Sequence, residues 1–189
     1  AQAHPEPLPL SFPQALGVIL GANVGTTVTG WMVALLGLKL HLGTLALPVL
    51  FVASLAAMLG RGRWAQTGSA LAGFALIFIG LDMMQGAVAA VEPLLAGSLV
   101  SAEGMAGRLV LVATGFAFTA VTQASSAGIA AVIVMLAGGA IDLVQAAVLV
   151  IGMDVGTTVK AVLTTLGGSL DMRRTALAHV GYNLLTGMV

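Results

Sequence analysis

The sequence predicts an all-α membrane protein that contains an inverted repeat, broken helices and a re-entrant hairpin. Hydrophobic residues make up 59% of the chain and charged residues only 7%, whereas a soluble domain has about 25% charged residues. Apolar runs close to the roughly 20 residues of a membrane-spanning helix recur along the chain. A polar, glycine-containing phrase occurs twice, and two shorter apolar arms meet at a polar tip.

The composition excludes several classes of function. The chain has no cysteine, which excludes disulfides and thiolate metal sites. Its net charge is zero, so no nucleic-acid partner is expected. No signal peptide is visible, and the chain opens with AQAHPEPLPL rather than Met, so we expect it to be a fragment of a longer protein.

The apolar runs predict four membrane crossings and the start of a fifth. The predicted crossings are residues 12–37, 42–60, 67–91 and 142–168, and a helix truncated by the chain end begins at 175–189. Pro13 suits the first turn of a helix. A polar connection containing Glu92, Pro93, Glu103 and Arg108 follows the third crossing.

Residues 108–139 are predicted to form a re-entrant hairpin. Two apolar arms of about a dozen residues flank the tip TQASSAG at 122–128, and each arm is too short to cross a bilayer at 1.5 Å per residue. Such a break is tolerated at membrane depth where it is buried in protein or lines a wet cavity. The alternative is one long kinked helix.

The repeated phrase is GANVGTTVTG at 21–30 and GMDVGTTVKA at 152–161. At this offset of 131, Gln14 also falls on Gln145, and the shared residues are polar or Gly rather than interchangeable aliphatics. Three predicted crossings separate the two copies, and an odd number means that the second copy runs in the opposite direction.

The charge pattern agrees with this inversion. Two pairs of arginines are predicted to lie on the same, cytoplasmic side of the membrane: Arg61 with Arg63, and Arg173 with Arg174. Lys39 is the exception, because it is predicted on the external side. The chain then divides into an incomplete first repeat with its connecting helices (1–107) and a second repeat (108–189). Many secondary transporters are built this way, with the site at the membrane midplane between the copies.

The candidate site residues are hydroxyl, amide and carboxyl groups inside these segments. Each copy of the phrase has two glycines that permit its helix to unwind: Gly21 and Gly25, and Gly152 and Gly156. The neighbouring side chains could then bind an oxyanion and Na⁺ together without Lys or Arg. Those side chains are Asn23, Thr26 and Thr27, their counterparts Asp154, Thr157 and Thr158, and Gln123, Ser125 and Ser126 at the tip. The alternative is that the hydroxyls bond to their own helix carbonyls and the glycines serve packing.

These motifs resemble the type II sodium/phosphate cotransporter family. The resemblance rests on GANVGTT, GMDVGTT, the hairpin tip and HVGYNLL, and it covers essentially the whole chain. It implies Na⁺-coupled phosphate transport, two inverted repeats, and Q-S-S-S hairpins that bind substrate and Na⁺. The implied sodium ligands are Asn23, Gln123, Ser126, Asp154 and Thr158.

The chain departs from the family pattern in three places. Ala124 replaces the first Ser of the second Q-S-S-S, and Asp154 stands where an Asn would mirror Asn23. The position of the first Q-S-S-S falls before Ala1, so half of the expected site and the N-terminal hairpin of the first repeat are missing from this chain.

We therefore expect a multi-pass protein of the bacterial inner membrane that transports inorganic phosphate with sodium by alternating access. It is not expected to be an enzyme, and Na⁺ is a coupling ion rather than a cofactor. The expected partners are phosphate, sodium and the lipid bilayer. A carrier of sulfate or a dicarboxylate, or a scaffold or sensor without transport, remains an alternative.

Four further residues are weaker candidates. Asp82 is an intramembrane acid, which is a functional hypothesis by default, and otherwise an interfacial residue. Lys160 is predicted to extend its amine to the interface. His179 and Asn183, one helical turn apart, would support the site or simply pack inside the bundle.

Overall fold

The computed structural model describes residues 11–38, 43–95 and 101–188, with the backbone alone for 91–95. Lys39, which departed from the charge pattern, lies outside the described residues, as does the Glu92 side chain. The described ranges form seven α-helices: α1 (Phe12–Trp31), α2 (Gly43–Leu59), α3 (Arg63–Leu95), α4 (Met105–Thr122), α5 (Ser125–Ala137), α6 (Leu143–Thr165) and α7 (Leu170–Met188). A π-helical extension of α1 covers Met32–Leu38.

The helices that carry the two copies of the phrase begin in the same way. At the start of α1, the backbone N–H of Ser11 donates to Gln14 Oε1 at 3.0 Å. At the start of α6, the N–H of Asp142 donates to Gln145 Oε1 at 2.8 Å, and Asp142 Oδ1 accepts the N–H of Gln145. Each contact satisfies backbone groups that have no partner inside the helix. The repeat therefore includes the local structure that starts each helix.

Helices α2 and α3 form an antiparallel pair joined by a turn at Arg61 and Gly62. A Cβ atom at Gly68 of α3 would lie 2.5 Å from the backbone nitrogen of Ala57 in α2, so this glycine permits the close approach. Such contacts between small residues are typical of helices in membranes, where apolar surface gives no drive for association.

Helices α4 and α5 form a hairpin that reverses at Gln123 and Ala124. Gln123 has a positive φ of 56°, the left-handed conformation that commonly ends a helix. Ala102, before α4, and Ile141, after α5, belong to the same buried cluster. The two ends of the hairpin therefore lie together. That it is re-entrant in a membrane stays a prediction.

The closest helix contact described joins α4 and α6. A Cβ atom at Gly115 would lie 2.2 Å from the carbonyl oxygen of Leu149, and one at Gly152 would lie 2.1 Å from that of Val112. Gly156 similarly faces the carbonyl oxygen of Phe116 at 2.7 Å. Because 112 and 116 pair with 152 and 156 in rising order, α4 and α6 run parallel, and only α5 between them runs back.

Helix α5 lies between two buried clusters. Val132 packs in the cluster with α4 and α6, whereas Ala130 and Val134 pack in a second cluster with α2, α3 and the π-helical extension of α1. Residues two apart point to nearly opposite sides of a helix. This short helix therefore joins the first half of the chain to the second.

The structure confirms an all-α membrane protein. Within the described residues, four helical segments are long and apolar enough to cross a bilayer: Phe12–Leu38, Arg63–Ala90, Met105–Thr122 and Leu143–Thr165. Helices α2 and α5 are apolar but shorter. The first arm of the hairpin, predicted to be too short to span, has 18 residues because α4 begins at Met105.

The predicted helix breaks at the repeated phrase are wrong. Helix α1 is continuous through Gly21 and Gly25, and α6 is continuous through Gly152 and Gly156. A glycine inside a helix costs about 1 kcal/mol relative to alanine, whereas each backbone group left unpaired in a membrane costs several kcal/mol. In α6 the two glycines also provide the contact with α4.

We predict that cysteines at Met105 and Leu143 react with a membrane-impermeant thiol reagent from the same side. Both residues are largely exposed and lie at the open end of the hairpin, and the native chain has no cysteine to give a background signal. The measurement is labelling of intact cells or sealed vesicles, with permeabilised samples as the control. Labelling from opposite sides would show that the hairpin crosses the membrane.

We predict that Gly152→Ala unfolds or loosens the chain while Gly21→Ala, its partner in the repeat, is tolerated. The added methyl at 152 would lie 2.1 Å from the backbone carbonyl oxygen of Val112, and overpacking of this kind costs about 1 to 3 kcal/mol. At Gly21 no atom lies within 4 Å of the new methyl. The measurement is thermal unfolding of the purified 189-residue chain in detergent. Equal effects would contradict the proposed role of the α4–α6 contact.

Candidate functional site

A cavity of about 380 Å³ opens between α1, α5, α6 and α7. Four of the predicted site residues line it: Asn23, Thr26, Thr27 and Asp154. The first three come from α1 and the last from α6, so both copies of the repeated phrase contribute to one cavity.

A buried amide on α7 connects the two copies. Asn183 is fully buried, at 0% exposure. Its Nδ2 donates to the carbonyl oxygen of Asp154 at 2.8 Å and to Thr157 Oγ1 at 3.1 Å. Its Oδ1 accepts from Asn23 Nδ2 at 2.9 Å. One side chain thus bonds to α1 and to α6 at the cavity wall.

The Asp154 carboxylate is the acidic group of the cavity. Its backbone carbonyl accepts from Thr157 and Asn183, while its side chain makes no hydrogen bond or ion pair with the described residues. Its electrostatic neighbour is His179 on α7, whose Nε2 lies 3.4 Å from Asn183 Nδ2. The carboxylate oxygens are therefore available to a ligand.

The four threonines that the two copies share, Thr26, Thr27, Thr157 and Thr158, all donate to their own helices. Thr27 Oγ1 donates to the carbonyl oxygen of Val24 at 2.6 Å, and Thr158 Oγ1 donates to that of Val155 at 2.7 Å, the same pattern at both repeat positions. Thr26 and Thr157 also donate to carbonyls of the preceding turn. A hydroxyl whose only hydrogen is used in this way presents lone pairs alone. Threonines that face the cavity therefore offer acceptors.

The hairpin tip stands apart from the cavity. Gln123 is exposed and its Nε2 donates to the carbonyl oxygen of Ala120 at 2.6 Å. Ser125 and Ser126 are half-buried, and none of the three lines the cavity. Ile129, one turn further along α5, does line it. At 1.5 Å per residue, the two serines are about 4.5 to 6 Å from that wall along the helix axis.

The remaining candidates differ in position. Thr158 is buried at 5% exposure and does not line the cavity. Asp82 contacts Gly43 at the start of α2, and Lys160 is exposed on α6. Asn183 was predicted only to support the site or to pack inside the bundle, although it is the centre of the polar contacts. Its His-x-x-x-Asn spacing with His179 was the available signal.

Comparison with known proteins identifies the family. The family model described as Na+/Pi-cotransporter matches residues 9–86 and 98–189, which is most of the chain. The chain belongs to the Na⁺/Pi-cotransporter family. The predicted resemblance is thereby confirmed, and with the four apolar helical segments it makes this chain part of an integral membrane protein.

Two curated relatives are similar along nearly all of this chain. "Uncharacterized protein YqeW" of Bacillus subtilis (strain 168) is 29% identical over 177 residues, which cover 93% of this chain and 56% of the relative. "Putative inorganic phosphate export protein YjbB" of Salmonella typhimurium is 29% identical over 180 residues, 93% of this chain and 32% of the relative. The chain thus spans about half or less of their lengths. No solved structure matches it.

Proposed function

We propose that the protein containing this chain transports inorganic phosphate across the bacterial inner membrane, coupled to Na⁺, by alternating access. The observation that carries the proposal is that both copies of the repeated phrase meet at one cavity in a member of the Na⁺/Pi-cotransporter family. The role is that of a carrier and not of an enzyme, since the proposal requires binding and release without a change in the substrate's covalent bonds.

The chemistry of the cavity favours a cation beside the anion. Asp154 brings a carboxylate, and Thr26 and Thr27 bring hydroxyl acceptors. Among the described residues that line the cavity, none is Lys or Arg. An oxyanion beside a carboxylate is repelled unless a cation lies between them. Na⁺, a hard ion that prefers oxygen ligands, fits this set.

We assign phosphate to the space between this cavity and the hairpin tip. The first turn of α5 carries Ser125 and Ser126, and the first backbone N–H groups of a helix have no partner inside it. Such N–H groups, with the helix dipole, bind anions. Gln123 and the two serines would then hold phosphate, and Asn23 and Asp154 would hold Na⁺ on the cavity side. The other Na⁺ ligands that the resemblance implies, Gln123, Ser126 and Thr158, do not line this cavity.

We predict that the full-length protein, reconstituted in liposomes, moves radiolabelled phosphate only when a Na⁺ gradient is present. Both gradient directions are measured, because a relative is named for phosphate export. Choline replaces Na⁺ in the control, and excess sulfate is added as competitor. Flux that sulfate abolishes would indicate a carrier of another anion, and absence of flux in both directions would indicate a scaffold or sensor.

We predict that Asp154→Asn lowers the apparent Na⁺ affinity of transport about tenfold or more, equivalent to about 1.4 kcal/mol. The amide keeps the shape but removes the charge that attracts the ion. Phosphate affinity at saturating Na⁺ should change less, and the charge moved per phosphate should differ. Asp142→Asn is the matched control, because this exposed residue caps the far end of the same helix. Unchanged Na⁺ dependence and unchanged current per phosphate would exclude Asp154 from the coupling site.

A further inference from the structure

The hydrogen bonds of Asn183 fix the orientation of two amides. The carbonyl oxygen of Asp154 can only accept, so the Asn183 group facing it at 2.8 Å must be Nδ2. The other end of the same amide, Oδ1, therefore faces α1. An oxygen there accepts only, so Asn23 must present its own Nδ2, as the 2.9 Å contact shows.

This chain of bonds leaves one atom of Asn23 unused. Its Nδ2 is held by Asn183, and its Oδ1 makes no hydrogen bond with the described residues. Asn23 lines the cavity. The acceptor left free at this position is therefore an oxygen, which suits a cation, while one of the two Nδ2 hydrogens is already donated to Asn183.

We propose that Asn183 is a positioning residue that makes Asn23 a cation ligand by fixing which end of its amide is free. The inference rests on the proposed Na⁺-coupled function and names what determines the ion preference of that site. An asparagine amide that is free to turn presents either a donor or an acceptor to its surroundings. Asn183 removes this choice.

Among the residues that the structure describes, the repeat does not provide a second copy of this arrangement. At the repeat offset of 131, position 183 falls on Val52, which is 64% exposed on α2 and has no polar group to offer. The orientation of the Asn183 amide is determined by α6, because its Nδ2 donates to a backbone carbonyl of that helix. The amide on α1 is thus oriented by the second copy of the phrase.

The test measures Na⁺ binding to the purified full-length protein through the rise in melting temperature with NaCl, with choline chloride as the control. A ligand that binds only the folded state raises stability according to its affinity, so this measurement does not depend on phosphate flux. Asn183→Leu keeps the branching at Cγ and the number of side-chain heavy atoms and removes both hydrogen-bonding ends. It should lower Na⁺ affinity about tenfold or more, the loss equivalent to about 1.4 kcal/mol.

A second substitution separates positioning from packing. Asp at position 23 has two equivalent oxygens and needs no orientation, so Asn23→Asp added to Asn183→Leu should restore Na⁺ affinity to within about threefold of wild type, well inside the tenfold that about 1.4 kcal/mol represents. Because the added charge attracts Na⁺ by itself, Asn23→Asp alone is measured beside the double variant. Positioning by Asn183 predicts the same Na⁺ affinity in both, whereas a packing role predicts that Asn183→Leu lowers the Na⁺ affinity of Asn23→Asp as much as it lowers that of wild type. Thr175→Val is the matched control on α7, since its hydroxyl bonds only to the carbonyl of Asp171.

Each outcome decides the proposal. Wild-type Na⁺ affinity in Asn183→Leu, or failure of Asn23→Asp to restore a lost affinity, would overturn it, as would a wild-type protein that Na⁺ does not stabilise. If Asn183→Leu does not fold, Asn183→Ala replaces it: it too removes both hydrogen-bonding ends, so Na⁺ affinity should fall about tenfold, equivalent to about 1.4 kcal/mol, and unchanged affinity would overturn the proposal. Stabilisation by Na⁺ without phosphate flux would contradict the proposed function alone.

Discussion

The backbone contact between α4 and α6 is the constraint on which the second half of the structure depends. In a membrane, apolar surface alone does not draw helices together, so close approach through small residues supplies the packing. Gly115, Gly152 and Gly156 bring the two backbones within contact distance of each other's carbonyls. This contact fixes the parallel course of the two helices, and with it the reversal of α5 and the position of Asp154 at the cavity.

The same glycines explain where prediction from sequence succeeded and where it did not. The apolar composition was enough to give the all-α membrane class, and the repeated phrase marked the two helices that reach the cavity. Gly152 and Gly156 could either break α6 or let another helix pack closely against it, depending on which backbone lies next to them. That backbone, at Val112 of α4, is 40 residues earlier in the chain. A local phrase carries no information about that partner, so helix breaks were preferred to packing, which was the alternative and which the structure shows for Gly152 and Gly156.

The site shows a similar division. Residue chemistry pointed to Asn23, Thr26, Thr27 and Asp154, which share the cavity, because amides, hydroxyls and acids in membrane helices are costly without a role. The central place of Asn183 was not predictable, since it depends on a bond to a residue 160 positions away. That the threonine hydroxyls bond to their own helix carbonyls was one of two alternatives left open by the sequence, and the structure confirms it. That detail decides whether they offer hydrogens or lone pairs.

The two copies of the phrase are similar in sequence but held differently. In α6 the phrase lies against α4, and Gly152, Met153, Gly156 and Thr158 are buried. In α1 none of the residues from Phe12 to Trp31 is buried within this chain, and Gly21 and Gly25 have no atom nearby. The α1 copy is instead bonded to Asn183 and contacts α5 at Gly30. The α6 wall of the cavity is thus held by backbone packing against α4. The α1 wall is held by the hydrogen bond between Asn23 and Asn183 of α7. Because Asn183 also donates to a carbonyl of α6, the packed copy determines the orientation of the lightly held one, and sequence symmetry between the copies does not make their roles the same.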